Sequence, residues 1–180
     1  MCHVLYLISE CQLPTIKQDQ RYPELTIEVV AEYSSPPNCI RKLIPQAKYL
    51  YHVHPTDLCG CYFQYESSVE REVEINDYIE SLKYDQKRSQ WFNKEYSNLR
   101  VFRQKQRLFW QECHNAVTAF SCYLRDHIHS GKLMLYMTWC GDEGKPIVEQ
   151  QTITPEFFGG ESCYPWKENA LYTICTEAIA

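Results

Sequence analysis

Phe109-Trp-Gln-Glu-Cys-His-Asn-Ala-Val-Thr-Ala-Phe-Ser-Cys-Tyr-Leu-Arg-Asp-His-Ile-His-Ser-Gly131 is the stretch on which the fold turns. Phe109, Cys113, Ala116, Val117, Phe120, Leu124 and Ile128 recur at steps of three and four. That spacing lines one face of an α-helix with apolar side chains. It predicts a helix over residues 103–129 that stops at Gly131, a residue free to leave the helical backbone.

On either side of this helix the pattern changes to that of strands. Residues 2–8, Cys-His-Val-Leu-Tyr-Leu-Ile, form a nearly continuous apolar run that suits a buried strand. Leu25, Ile27 and Val29 alternate along a second. Residues 48–54 read as a third, and Cys59-Gly-Cys-Tyr-Phe-Gln-Tyr65 as a fourth, paired with the third as a hairpin. Ser34-Ser-Pro-Pro37 reads as a turn, and Asn38 as the cap of a short helix ending before Pro45.

Tyr78, Ile79 and Leu82 suit a further helix, and residues 85–102 a polar insertion or an extension of the long helix. After it, residues 132–139 and 147–153 are expected to pair as a second hairpin around Cys140-Gly-Asp-Glu-Gly-Lys-Pro146. Thr154-Pro155-Glu156 starts a helical turn, and residues 170–176 form a last strand. The sum is a single α+β domain over residues 1–180: a mainly antiparallel sheet of hairpins, with one long helix packed on a face.

Composition narrows the function classes. With 44% apolar and 14% aromatic residues, the 180-residue chain has a globular composition. Its net charge of −5 disfavours generic nucleic-acid binding, which needs a positive surface to displace counterions. No run approaches the roughly 20 apolar residues of a membrane span, and neither a secretory signal nor a lipidation signature is evident. The expectation is a cytoplasmic protein. Its ten cysteines then read as mostly reduced core residues rather than a disulfide framework.

Several constellations carry possible chemistry. Two-residue spacing places His52 and His54 on one face of a strand, and Cys59 and Cys61 on one face of the next. Converging imidazole and thiolate groups would suit zinc, with Cys2 or His3 of the first strand as further donors. Beside an imidazole, Cys59 or Cys61 would alternatively serve as an enzyme's nucleophile. In residues 87–107, Lys87, Arg88, Lys94, Arg100, Arg103, Lys105 and Arg107 face only Glu95, with Trp91, Phe92, Tyr96 and Phe102 between them. Such a run is either a solvated helix face or a surface for an anionic or protein partner, with Lys94, Arg100 and Arg103 as its contacts. Asp142 and Glu143 read as turn carboxylates pointing into water. His127 and His129 read as cations favoured by a helix C-terminus.

Met1-Cys2 with its apolar strand, Cys59-Gly-Cys61 and Trp139-x-Gly-Asp-Glu143 together resemble a family of short, uncharacterised bacterial proteins. That family places a His two residues before the first Cys of its pair; here Thr56 or Asp57 stands near that point, with His54 further back. The resemblance implies bacterial origin and a single domain. Met1-Cys2 alone also resembles the opening of class II glutamine amidotransferases, although His3 stands where those usually carry Gly. The reading that asks least of these residues is a binding or interaction module. A zinc-binding protein and a thiol-dependent enzyme are the alternatives.

Overall fold

A computed structural model describes residues 3–17, 19–32, 35–55, 63, 89–158 and 167–176. Among these residues seven strands form one sheet: β1 (His3–Ser9), β2 (Ile16–Lys17), β3 (Leu25–Val29), β4 (Tyr49–Pro55), β5 (Leu133–Trp139), β6 (Glu149–Ile153) and β7 (Ala170–Ile174). Two helices accompany them, α1 (Ser35–Leu43) and α2 (Ser89–His127). The spatial order is β2-β3-β4-β1-β5-β7-β6. Every pairing is antiparallel except β6 with β7. The α+β class read from the sequence is the class observed.

β1 is central because it is apolar on both sides. Leu5 and Leu7 face α2, where they join Ile27, Tyr51, Val53, Leu135, Met137, Tyr172, Ala116, Phe120 and Leu124 in the larger core. Tyr6 and Ile8 face the other way and pack with Leu50, Met134, Tyr136, and Ile40 and Ile44 at α1. α1 begins at Ser35, so Pro36 and Pro37 occupy its first turn. They are tolerated there because first-turn N–H groups have no intrahelical partner to lose. Asn38 is therefore inside the helix and not its cap.

The two expected hairpins are corrected. β4 lies between β1 and β3, and over Tyr51–Val53 both its edges are hydrogen-bonded to them. Neither edge there is open to residues 59–65, which apart from Phe63 lie outside the described residues, as does the helix expected around Tyr78–Leu82. β5 likewise lies between β1 and β7, and β6 pairs with β7 in parallel. The physical reason is burial. Leu133–Thr138 is buried on both faces and takes the apolar Ala-Leu-Tyr-Thr-Ile of β7 as neighbour. Glu-Gln-Gln-Thr-Ile of β6 alternates between exposed and covered and suits a sheet edge.

The long helix starts earlier than its apolar face. Residues 89–102, read as an insertion or an extension, are helical and continuous with the packed part. At 39 residues α2 is roughly 58 Å long. A seven-residue strand spans roughly 23 Å, and seven strands side by side roughly 29 Å. The helix therefore overhangs the sheet whichever way it crosses. After a 3-10 turn at Ile128–Ser130 the chain leaves through Gly131 at φ 146°. The backbone angle calls for glycine at 131, and a Cβ there would also crowd Cys11 Sγ at 3.3 Å.

Tyrosine hydroxyls tie loops to this core. Leu13 N–H donates to Tyr51 Oη at 2.7 Å, Tyr123 donates to Pro14 O at 2.7 Å, and Lys167 N–H donates to Tyr172 Oη at 2.7 Å. Phe120, fully buried, meets Phe63 at 5.8 Å between ring centroids. Phe120→Ala is expected to lower stability by about 3–5 kcal/mol, the range for emptying a buried aromatic site. Urea unfolding monitored by circular dichroism checks this.

Candidate functional site

The sheet face turned away from α2 carries a polar row that the strand register builds. Glu28 lies opposite His52, His52 opposite Tyr6, and Tyr6 opposite Tyr136, so the four cross β3, β4, β1 and β5 in line. The rings of Tyr6 and His52 are 5.0 Å apart. Over this row folds the loop after β5. Asp142 N–H donates to Trp139 O at 2.9 Å, and Gly141 takes φ 97°. The turn brings Glu143 inward, where only 7% of it is exposed. Its carboxylate accepts the Tyr6 hydroxyl at 3.1 Å and Gly141 N–H at 3.1 and 3.2 Å.

Beside it, Asn169 Oδ1 accepts Thr138 Oγ1 at 2.8 Å and lies 3.4 Å from Tyr136 Oη. Asn169 itself sits at φ 56°, a left-handed conformation that Asn tolerates better than most residues. Burial, and then the negative Glu143, push the Tyr6 phenol well above its ordinary range, so it remains a donor.

His52 departs from this pattern of satisfied groups. Its Nε2 is buried without a hydrogen-bond partner among the described residues. Burial lowers its pKa, opposed by Glu28 and Glu143 and assisted by His54, so the ring is held neutral. A neutral imidazole against a Tyr–Glu pair can accept or donate one hydrogen bond to a bound group.

Of the residues expected to form a metal or thiol site, His52 and His54 do share a face. His54 Nδ1 lies 2.9 Å from Pro55 O, and its Nε2 lies 3.6 Å from Glu28 Oε1. Cys59, Cys61 and Cys2 lie outside the described residues. His3 does not join the histidines: it has the parity of Leu5 and Leu7, toward α2, and its ring lies 3.6 Å from that of Trp139. Among the described residues no three His, Cys, Asp or Glu side chains converge as metal ligands. Lys94, Arg100 and Arg103 are helical in backbone, and their side chains lie outside the described residues.

Three further expectations are revised. Glu143 is not a carboxylate in water but the buried acceptor of Tyr6; the flanking Gly141 and Gly144 were the only signal that the turn folds so tightly. Asp142 does lie at the surface, paired with Lys145 at 2.6 Å. His127 is not a favoured cation, because burial against Tyr123, 4.5 Å away between rings, lowers its pKa. Among the six described cysteines, Cys113 is buried, but Cys11 and Cys140 are exposed rather than in the core. Burial pushes the Cys113 thiol up to about 11.

No described helix is long and apolar enough to cross a membrane. Comparison with protein-family models, curated proteins and solved structures finds no match to this chain. The class is thus defined by the fold alone: an α+β protein with a seven-stranded, mainly antiparallel sheet.

Two outcomes are expected. Tyr6→Phe removes a donor from a buried carboxylate and lowers stability by about 1–3 kcal/mol in denaturant titration. His52 and His127 both have lowered folded-state pKa values. Below the unfolded value near 6.5 the unfolded chain then binds more protons. Stability is therefore complete above about pH 6.5 and declines as pH falls through the window beneath it. His52→Gln makes that slope shallower when unfolding is measured from pH 7 down to about pH 5.

Proposed function

We propose that the protein is a binding module that engages an acidic partner protein through the first half of α2. The observation that carries this reading is the overhang. α2 runs unbroken from Ser89, but the described side chains on it are buried only from Cys113 onward. Val101 and Leu108, 54% and 60% exposed, stand seven residues apart and so share one stripe, with exposed Gln104 between them. Residues 87–107 carry net +6, which leaves −11 on the remainder of a chain whose total is −5. A cationic rod with an apolar stripe suits a negatively charged protein groove. The anionic remainder disfavours a nucleic acid as the ligand.

A reducing compartment such as the cytoplasm suits the exposed free thiols Cys11 and Cys140. The test is a triple reversal, Lys94→Glu, Arg100→Glu and Arg103→Glu. Proteins recovered on the immobilised wild type and measured by quantitative mass spectrometry should fall by about tenfold on the variant, and at high salt, where exposed charges are screened. Recovery that ignores both the reversal and the salt rejects the segment.

A second reading, zinc binding, is favoured by one specific arrangement. With His54 Nδ1 donating to Pro55 O, its Nε2 keeps the lone pair a metal would take, and His52 shares the same face. Cys59 and Cys61 would complete the ligand set. Elemental analysis of untagged protein is expected to return close to one zinc per chain, lost in the double variant His52→Ala, His54→Ala. Less than about a tenth of a metal per wild-type chain removes this reading.

A further inference from the structure

At the C-terminal end of α2, far along the helix from its basic half, a cleft of about 240 Å³ opens between the helix and the turn joining β2 to β3. Arg21, Tyr22, Cys122, Arg125 and Asp126 line it. The turn is held in place: Tyr22 N–H donates to Asp19 O at 3.2 Å, and Arg21 N–H donates to Asp19 Oδ1 at 2.7 Å. Tyr22 is 4% exposed and packs edge-on against Tyr123 at 5.4 Å.

The charges of the cleft are unequal. Asp126, the one carboxylate among the described lining residues, spends one oxygen, Oδ2, on two donors: the Tyr22 hydroxyl at 2.7 Å and Arg21 Nη2 at 2.9 Å. The Tyr22 hydroxyl and then Arg21 lower the Asp126 pKa and hold it ionised, while burial and then the bond to Asp126 push the Tyr22 phenol up to about 12. Arg21 is thereby fixed over the Tyr22 ring, 5.4 Å from its centroid, with the other edge of its guanidinium uncommitted among the described residues. Arg125 lies 3.6 Å from Glu156, an ion pair too long to be a hydrogen bond. The neighbouring His127 adds no positive charge at neutral pH, because burial lowers its pKa.

Two guanidiniums therefore stand over the cleft, each with one carboxylate partner, and Arg125 is held by Glu156 only at 3.6 Å. The floor between them is a tyrosine ring and a partly buried thiol. The volume has room for roughly eight waters at about 30 Å³ each. A nucleotide is too large for it, and a small ring bearing one charged group is not.

We propose that this cleft binds a small organic anion, a carboxylate or phosphate monoester, with its charged end between Arg21 and Arg125 and its apolar body against Tyr22 and Cys122. Arginine suits this role because its planar fork meets either anion with two parallel N–H groups. The proposal uses none of the residues assigned to partner binding, so either can fail without the other.

Cys122 serves as the reporter. The full chain is alkylated with iodoacetamide, a neutral reagent, and modification of each cysteine is followed by mass spectrometry. Benzoate and phenyl phosphate, each at about 10 mM against an expected Kd on the order of 1 mM, should slow labelling of Cys122 several-fold. Exposed Cys140 should keep its rate. Benzamide, the neutral counterpart, should protect far less, and Arg21→Gln with Arg125→Gln should abolish protection. The stronger of the two anions identifies the preferred charged group.

Equal protection by benzamide, or protection surviving in the double variant, overturns the proposal. If Cys122 resists alkylation altogether, amide chemical shifts of residues 21, 22 and 126 replace it as the readout. The absence of benzoate- or phenyl phosphate-dependent shifts there overturns it as well.

Discussion

The structure depends on the two-sided burial of β1. A strand whose successive side chains from Val4 to Ile8 are all apolar or aromatic leaves no face for water, so both faces of the sheet around it must be covered. α2 covers one face with a broad apolar stripe. The other is covered in two parts, by α1 over Ile8, Leu50 and Met134 and by the loop after β5 over Tyr6 and Tyr136. The second cover is short and polar, and that is why the unusual chemistry of the fold gathers beneath it. A loop can bury a tyrosine only if it brings a hydroxyl partner, and Glu143 is that partner.

The same logic explains why so many of the buried large residues are tyrosines. Tyr51, Tyr123 and Tyr172 place rings in the main core and reach its margin with their hydroxyls, where they hold loop backbone that has no strand to pair with. Tyr22 does this with a side chain, Asp126, and in doing so orders an arginine. His52 is the exception, with a buried nitrogen that has no hydrogen-bond partner among the described residues.

What could be read from the residues was whatever depends on local period. The helix ending at Gly131, the strands near residues 3–9, 25–29, 49–55, 133–139 and 170–174, and the Thr154-Pro155 turn all announced themselves through spacing or a start signal. Pairing did not, because two strands joined by a short loop look like a hairpin whether or not a third strand comes between them. β7 reaches β5 from more than thirty residues away, and nothing in the loop at Cys140 signals that. The alternation that placed His52 and His54 on one face was legible, while the row through Glu28, Tyr6 and Tyr136 needed the register of three ladders. Glu143 was misread because adjacent carboxylates in a glycine-rich turn ordinarily face solvent, and only the position of Tyr6 reverses that. The Arg21–Asp126 contact joins residues 105 apart, with no pattern to betray it.

The central position of β1 has a temporal consequence. One of its edges waits for β4, about forty residues downstream, but the other is completed only by Leu133–Trp139. During synthesis this apolar strand therefore remains half-paired until residues more than 120 positions downstream of it have left the ribosome. Sequence-distant pairings of this kind make for slow assembly and leave sticky edges open in the interval. A nascent chain built this way is a natural client for chaperones that shield extended apolar segments.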